Sequence, residues 1–227
     1  MNYTSGNCFY CQHNHSSRCE KSQLFGSPNL DGAQAEFVRV PLADSTVFKA
    51  PLELSDQALI LMADIFPTGY YGVISAMAMV AFENANEAVM VIVGCGPVGL
   101  CAVACAQYFG FRKVFAVDGV ESRLKLAEQL GATPLTLEHG TPLLQESIGR
   151  VTSGHGADMV VEAVGMSDAL QTAYDLVRPF GAICSIGVHN GPVGSLITAH
   201  MCLLISTRLI RLLQIPWSGA KGYEWVQ

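Results

Sequence analysis

The sequence predicts an α/β protein: a doubly wound parallel sheet preceded by a smaller N-terminal part that carries a cysteine lobe. Three observations predict it. From residue 89 onward, short β-rich apolar runs alternate with helical stretches, the pattern of parallel strands joined by crossover helices. The first of these runs passes directly into a glycine-rich turn, Gly94-Cys95-Gly96-Pro97-Val98-Gly99. Ahead of the alternating region, residues 1–30 are polar and bear cysteines and histidines without any helical or strand period, which describes a loop that needs something to pin it.

Val89-Met90-Val91-Ile92-Val93 reads as a strand buried on both faces. An apolar helix is expected from about Val98 to Phe109, stopped by Gly110. Lys113–Val117 reads as the second strand. Glu121–Leu130 reads as the second helix, with Leu124, Ala127 and Leu130 at helical spacing and Gly131 as its stop. Further on, Asp158–Glu162 and Ala182–Ile186 read as strands flanking a helix over Asp168–Val177. Upstream, Ala33–Val40 reads as a short strand closed by Pro41, and residues 52–65 as a helix ending before Pro67.

Half of the 227 residues are hydrophobic and only 14% are charged, which excludes a disordered, solvating chain. The net charge of −6, with no run of Lys or Arg, argues against a nucleic-acid partner. The N-terminus lacks a basic region followed by an apolar stretch, so no secretory signal is expected. The longest apolar stretch, Leu196 to Leu213, is broken by His200, Arg208 and Arg211, so no membrane span is expected either. With no export signal, the eight cysteines read as reduced thiols or metal ligands rather than a disulfide framework. A cytoplasmic protein is the expectation.

The glycine turn follows a strand and opens a helix, the context that G-x-G-x-x-G requires to bind a dinucleotide. Gly94 permits the tight turn, Gly96 leaves room for a pyrophosphate, and Gly99 lets the helix lie close to the strand. The helix opens at Pro97, which has no N–H to give, and the free N–H groups that follow it, from Val98 onward, favour an anion. Asp118 closes the next strand. A carboxylate there accepts hydrogen bonds from ribose hydroxyls and repels a 2′-phosphate, which favours NAD over NADP. Arg123, just beyond, either approaches the ribose or phosphate or stands as an exposed helix cation. Cys101 and Cys105 read as small buried side chains of the apolar helix, and no base accompanies Cys95 in the turn.

Cys8-x2-Cys11-x7-Cys19 is the second motif. Paired thiolates at this spacing grip one tetrahedral metal ion, and a third closes the lobe. Ser5 occupies the place where a fourth cysteine would complete the set. His13 or His15 would supply an imidazole only if the loop bent differently, and unmetallated thiols remain the alternative.

With these motifs in place, the chain resembles the zinc-containing medium-chain alcohol dehydrogenases, and within them members similar to glutathione-independent formaldehyde dehydrogenase. The resemblance is carried by the lobe Gly6–Cys11 with Cys19, the segment Asp31–Pro41, the linker Asp64-Ile65-Phe66-Pro67-Thr68-Gly69-Tyr70, and the turn Gly94–Gly99 with Asp118; it runs from about residue 5 to Gly191. It implies a partial GroES-like β domain over residues 1–60, with Cys8, Cys11 and Cys19 as ligands of a structural zinc, and an NAD-binding Rossmann domain over 61–227. It also implies hydride transfer between an alcohol or aldehyde substrate and the nicotinamide, with a zinc ion polarising the substrate. In these terms Asp64 corresponds to a ligand of the catalytic zinc, Thr68 to a position near the nicotinamide, and Val188, after Gly187, to the turn that faces the carboxamide. Homo-oligomers occur in such a family.

The departures from the pattern are also informative. A catalytic zinc needs three protein ligands, and none of the six histidines sits in the context that would join Asp64. The chain is therefore expected to keep the coenzyme half and the structural lobe while lacking most of the catalytic barrel. A non-catalytic nucleotide-binding remnant, or the product of a truncated gene, is the alternative reading. Residues 192–214 interrupt the family pattern, which resumes at Ile215-Pro216-Trp217. They read as an apolar helical insert covering the sheet edge or as translated non-coding sequence.

Overall fold

The computed structural model describes residues 3–13, 15–80, 85–189 and the backbone of 209–212. Two compact units divide between Pro67 and Thr68.

The first unit is built of short elements: α1 (Phe9–Gln12), a 3-10 turn over Ser16–Arg18, α2 (Ala43–Thr46) and α3 (Asp56–Met62). Ser55 caps α3 by accepting the N–H of Ala58 at 3.3 Å, which satisfies one of the helix's orphan donors. The N-terminal loop is pinned to α2: Thr4 N–H donates to Thr46 Oγ1 at 3.2 Å, and Ser45 Oγ donates to the Thr4 carbonyl. Among the described residues of this unit, the only β pairing is an isolated bridge between Ser27 and Leu30. The strand expected over 33–40 is not formed, and Phe37 is 88% exposed. Its composition suits a strand, but a strand without a neighbouring edge leaves its backbone groups to water.

α4 (Ile65–Met79) starts at the end of the first unit and runs into the second. The helix expected to stop before Pro67 is thus two helices, and Pro67 lies in the first turn of the second. Proline is tolerated there because first-turn N–H groups have no intrahelical acceptor.

In the second unit the elements follow as β1 (Val89–Val93), α5 (Pro97–Tyr108), β2 (Lys113–Asp118), α6 (Glu121–Gln129), β3 (Thr133–Thr136), α7 (Thr141–Thr152), β4 (Ala157–Glu162), α8 (Ser167–Leu176), β5 (Val177–Ser185) and β6 (Leu209–Leu212). They form one sheet of order β3-β2-β1-β4-β5-β6, and every pairing is parallel. The order reverses at β1, which lies between β2 and β4. Three elements differ from the sequence reading. β3 contains Pro134, which hides it from a strand pattern; as the edge of the sheet it can spare one N–H. α7 was not anticipated, although it opens with Pro142 in its first turn and buries Leu144 and Ile148. Leu209–Leu212, inside the segment read as a helical insert, is an edge strand whose Leu209 to Leu212 register with Ala182 to Ser185. The rest of 192–214 lies outside the described residues.

β1 is buried along its whole length. The pleat sends Val89, Val91 and Val93 into a core shared with Phe115, Val117, Val160, Ile183 and the inner faces of α7 and α8. Met90 and Ile92 point to the other face, where α4 and α5 lie. Gly72 of α4 is pressed so close that a Cβ would sit 2.9 Å from Ile186 Cδ1. Each aliphatic side chain so enclosed contributes about 1.5–3 kcal/mol. Ile148 is fully buried in this core. Ile148→Ala is expected to lower the unfolding free energy by about 2–5 kcal/mol, seen in a urea titration as an earlier midpoint at unchanged slope.

Candidate functional site

The site grows from the junction of β1 and α5. Gly94 has φ +93°, and a Cβ there would lie 2.5 Å from Val164 Cγ2. Gly99 admits no side chain at all, since its Cβ would fall 1.8 Å from the Gly94 carbonyl oxygen. A Cβ on Gly96, by contrast, would meet nothing within 4 Å. Two of the glycines therefore close the turn, and the third leaves open space above it. Pro97 begins α5 and has no N–H, so the free donors of the first turn are the amides of Val98 and Gly99. Bare amides and the positive end of a helix, facing open space, are suited to an anion such as a diphosphate.

Asp118, 6% exposed, ends β2 beside this turn. Its Oδ2 accepts the Cys95 N–H at 2.7 Å and its Oδ1 the Val120 N–H at 2.8 Å. The carboxylate thus braces the glycine turn, and each oxygen retains a lone pair for a further donor. Arg123, half exposed, lies 3.7 Å from Asp118 Oδ2. Cys95 is buried in the turn. Burial, then the charge of Asp118, pushes its thiol up to about 12, so it is inert as a nucleophile at neutral pH. Burial also raises Cys101, and raises Cys105 to about 11.

On the other side of β1, the turns after β4 and β5 interlock. A Cβ on Gly165 would lie 2.4 Å from the Val188 carbonyl oxygen, and one on Gly187 would lie 2.0 Å from Gly165 N. Glu162, fully buried at the end of β4, accepts the N–H groups of Val164 and Gly165 on Oε1, both at 2.7 Å. Its Oε2 accepts the Ser185 hydroxyl at 2.5 Å, and His189 Nε2 stands 2.9 Å from that hydroxyl. The sequence reading missed Glu162, Ser185 and His189. The available signal was a carboxylate directly after the apolar run Met159-Val160-Val161, followed by a glycine. Thr68 lies next to Gly69, whose Cβ would come within 2.8 Å of the Val98 carbonyl, so α4 brings it beside the first turn of α5. Val188 lies in the interlocked pair of turns.

In the first unit the three thiols converge. The Sγ atoms of Cys8, Cys11 and Cys19 lie within 4.8 Å of one another, and those of Cys8 and Cys11 are 3.5 Å apart. Zinc–sulfur bonds of about 2.3 Å place tetrahedral thiolates at comparable separations. Ser5 Oγ closes the cluster, 3.4 Å from Cys19 Sγ and 3.9 Å from Cys11 Sγ. Three thiolates and one hydroxyl therefore fit a zinc ion, with the oxygen as the weak corner. The imidazoles considered for that corner do not reach it: His13 Nδ1 is 2.7 Å from the Phe9 carbonyl oxygen, and neither His13 nor His15 belongs to the cluster. The backbone N–H groups of Cys11 and Glu20 lower the Cys8 thiol to about 6, whereas burial raises Cys11. Asp64 sits in this unit between α3 and α4, and among the described residues no group of three potential metal ligands includes it. The described residues thus do not furnish a catalytic zinc site.

A doubly wound parallel sheet with a glycine turn between its first strand and helix defines a Rossmann-type unit. The family model described as zinc-binding dehydrogenase matches residues 97–218, and the chain belongs to that family. It is 60% identical over 185 residues to the medium chain reductase/dehydrogenase ucsI of an Acremonium species, covering 82% of this chain and 63% of that one. It is 46% identical over 219 residues to zinc-type alcohol dehydrogenase B of Aspergillus flavus, covering 96% of this chain and 46% of the relative. The chain thus spans about half to two thirds of the length of these relatives. Among solved structures, an alcohol dehydrogenase from Thermus sp. ATN1 superposes with a TM-score of 0.81 at 32% identity, covering 94% of this chain and 60% of that one. Among the described residues, no single helix is long and apolar enough to cross a membrane; α3 and α4 reach that composition only as a pair bent by 51°.

Two outcomes are expected for the lobe. Ser5→Cys retains zinc at chelator concentrations that strip the wild-type lobe, measured as metal per chain after dialysis. In the metal-free chain at pH 7, iodoacetamide alkylates Cys8 well before Cys95 and Cys105, by peptide mass mapping. The Cys8 rate falls as the pH drops through about 6, where its thiolate is protonated.

Proposed function

We propose that the second unit binds NAD(H) and that the chain forms the coenzyme half of a zinc-type, NAD-dependent alcohol or aldehyde oxidoreductase. The observation that carries this reading is the pairing of open space over Gly96 with the buried Asp118 carboxylate at the next strand end. The amides of Val98 and Gly99 would hold the diphosphate, and Asp118 the hydroxyls of the adenine ribose. Arg123 would lie at the outer side of that ribose. Thr68 and Val188 would bound the nicotinamide end. NAD, when bound, supplies the hydride acceptor for an alcohol carbon.

Two similar proteins support the oxidoreductase reading: zinc-type alcohol dehydrogenase B of Aspergillus flavus and an alcohol dehydrogenase of Thermus sp. ATN1. The structural zinc would occupy Cys8, Cys11, Cys19 and Ser5. Among the described residues, the one group of three potential metal ligands is Cys8, Cys11 and Cys19, and Asp64 is not part of it.

The test is coenzyme titration by fluorescence with the full chain. NADH binds more tightly than NADPH, and Asp118→Ser reduces that preference about tenfold or more, the worth of hydrogen bonds to a charged group. A wild-type chain that binds neither coenzyme overturns the reading.

A further inference from the structure

Glu162, Ser185 and His189 form a connected polar cluster at the ends of β4 and β5. Glu162 and Ser185 are fully buried, and the His189 side chain is 10% exposed. Glu162 Oε1 is filled by two backbone N–H donors, and Oε2 receives the Ser185 hydroxyl, with His189 Nε2 a further 3.4 Å away. A carboxylate only accepts, and a hydroxyl has one proton to give. Since Ser185 spends its proton on Glu162, its oxygen can only accept from His189, 2.9 Å away. The imidazole is thereby fixed with its proton on Nε2. Nδ1 is left as an acceptor, with no hydrogen-bond partner among the described residues.

The topology places this cluster at the strand ends where the second half of a dinucleotide would lie. A dinucleotide crosses the C-terminal ends of the strands where their order reverses, which here is at β1. Asp118, on the β2 side, takes the adenine ribose in the reading above. The second nucleoside then lies on the opposite side, over β4 and β5. The interlocked turns that Glu162 clasps touch the phosphate turn directly through Val164 and Gly94, so they form the next stretch of the same floor.

We infer that His189 binds the nicotinamide nucleoside of the coenzyme through Nδ1, with Ser185 and Glu162 as positioning residues that fix the tautomer. The inference rests on the coenzyme reading above. The donor it would meet is a carboxamide N–H or a ribose hydroxyl. Ser185 is too deeply buried to act as a nucleophile, so the resemblance of the cluster to a hydrolytic triad has no chemical consequence.

The experiment compares NADH with ADP, which carries the adenosine and diphosphate but no second nucleoside, by calorimetry on the full chain. His189→Ala and Ser185→Ala raise the Kd for NADH about three- to tenfold, the contribution of one hydrogen bond, and leave that for ADP unchanged. His189→Asn, which keeps an acceptor near the Nδ1 position, recovers most of the loss. Equal weakening of both ligands, or of neither, overturns the inference and leaves the coenzyme site standing. A wild-type chain that binds neither ligand overturns both. Independently of any ligand, nitrogen-15 NMR reads the tautomer. His189 carries its proton on Nε2 in the wild type and on Nδ1 in Glu162→Gln, because the new amide donates to Ser185 and turns the hydroxyl toward the imidazole. A tautomer that does not respond to Glu162→Gln overturns the relay.

Discussion

One backbone contact governs the second unit: the approach of Gly99 to the carbonyl of Gly94. No side chain fits between them, since even a single added carbon would overlap that oxygen. The contact sets how α5 leaves β1, and so where the first amides of the helix point. Everything polar in the region is arranged around it. Asp118 ties Cys95 from the β2 side, and Val164 closes over Gly94 from the β4 side. The turn is held on both flanks while its middle, at Gly96, stays open. A diphosphate site needs this combination of a rigid rim and an empty centre, because donors that must reorganise on binding lose part of their gain.

A second set of close approaches extends the floor. Gly165 and Gly187 bring the turns after β4 and β5 into backbone contact, and Glu162 satisfies the amides that this proximity would otherwise strand. A buried carboxylate is costly unless its acceptors are filled, and here both oxygens are engaged. The same cluster that keeps the turns together therefore also orders protons out to His189.

The first unit stands on different physics. Its helices are short, and Phe37, Phe48 and Leu52 are all more than four-fifths exposed, so burial of apolar surface contributes little within it. What unites residues 5–19 is the meeting of three thiols and a hydroxyl. A metal ion bound there would act as a staple, since its binding free energy is also folding free energy. Serine at the fourth corner makes that staple weaker than four thiolates would.

Local pattern disclosed much of this molecule. The runs at Val89, Lys113 and Asp158 are apolar and β-rich enough to declare themselves, and the glycines of 94–99, common in turns by themselves, gain meaning from the strand before them, the helix after them and Asp118 at the next strand end. The thiol cluster was likewise legible in Cys8-x2-Cys11-x7-Cys19. Pro134 concealed β3, because strand patterns exclude proline and only an edge position admits it. Pro67 suggested a helix end where it marked a helix beginning. Residues 33–40 have the composition of a strand, but pairing depends on an available edge, which composition does not encode.

The sequence by itself determined the alternation of strands and helices, the place of the glycine turn and the residues able to bind metal, because each is set by side chains close together along the chain. Only the tertiary structure decided that Glu162, Ser185 and His189 meet, that Leu209–Leu212 adds a strand and that Ser5 closes the thiol cluster. Hydrogen bonds and sheet edges join residues by distance in space, and sequence separation carries no record of that distance until the chain has folded.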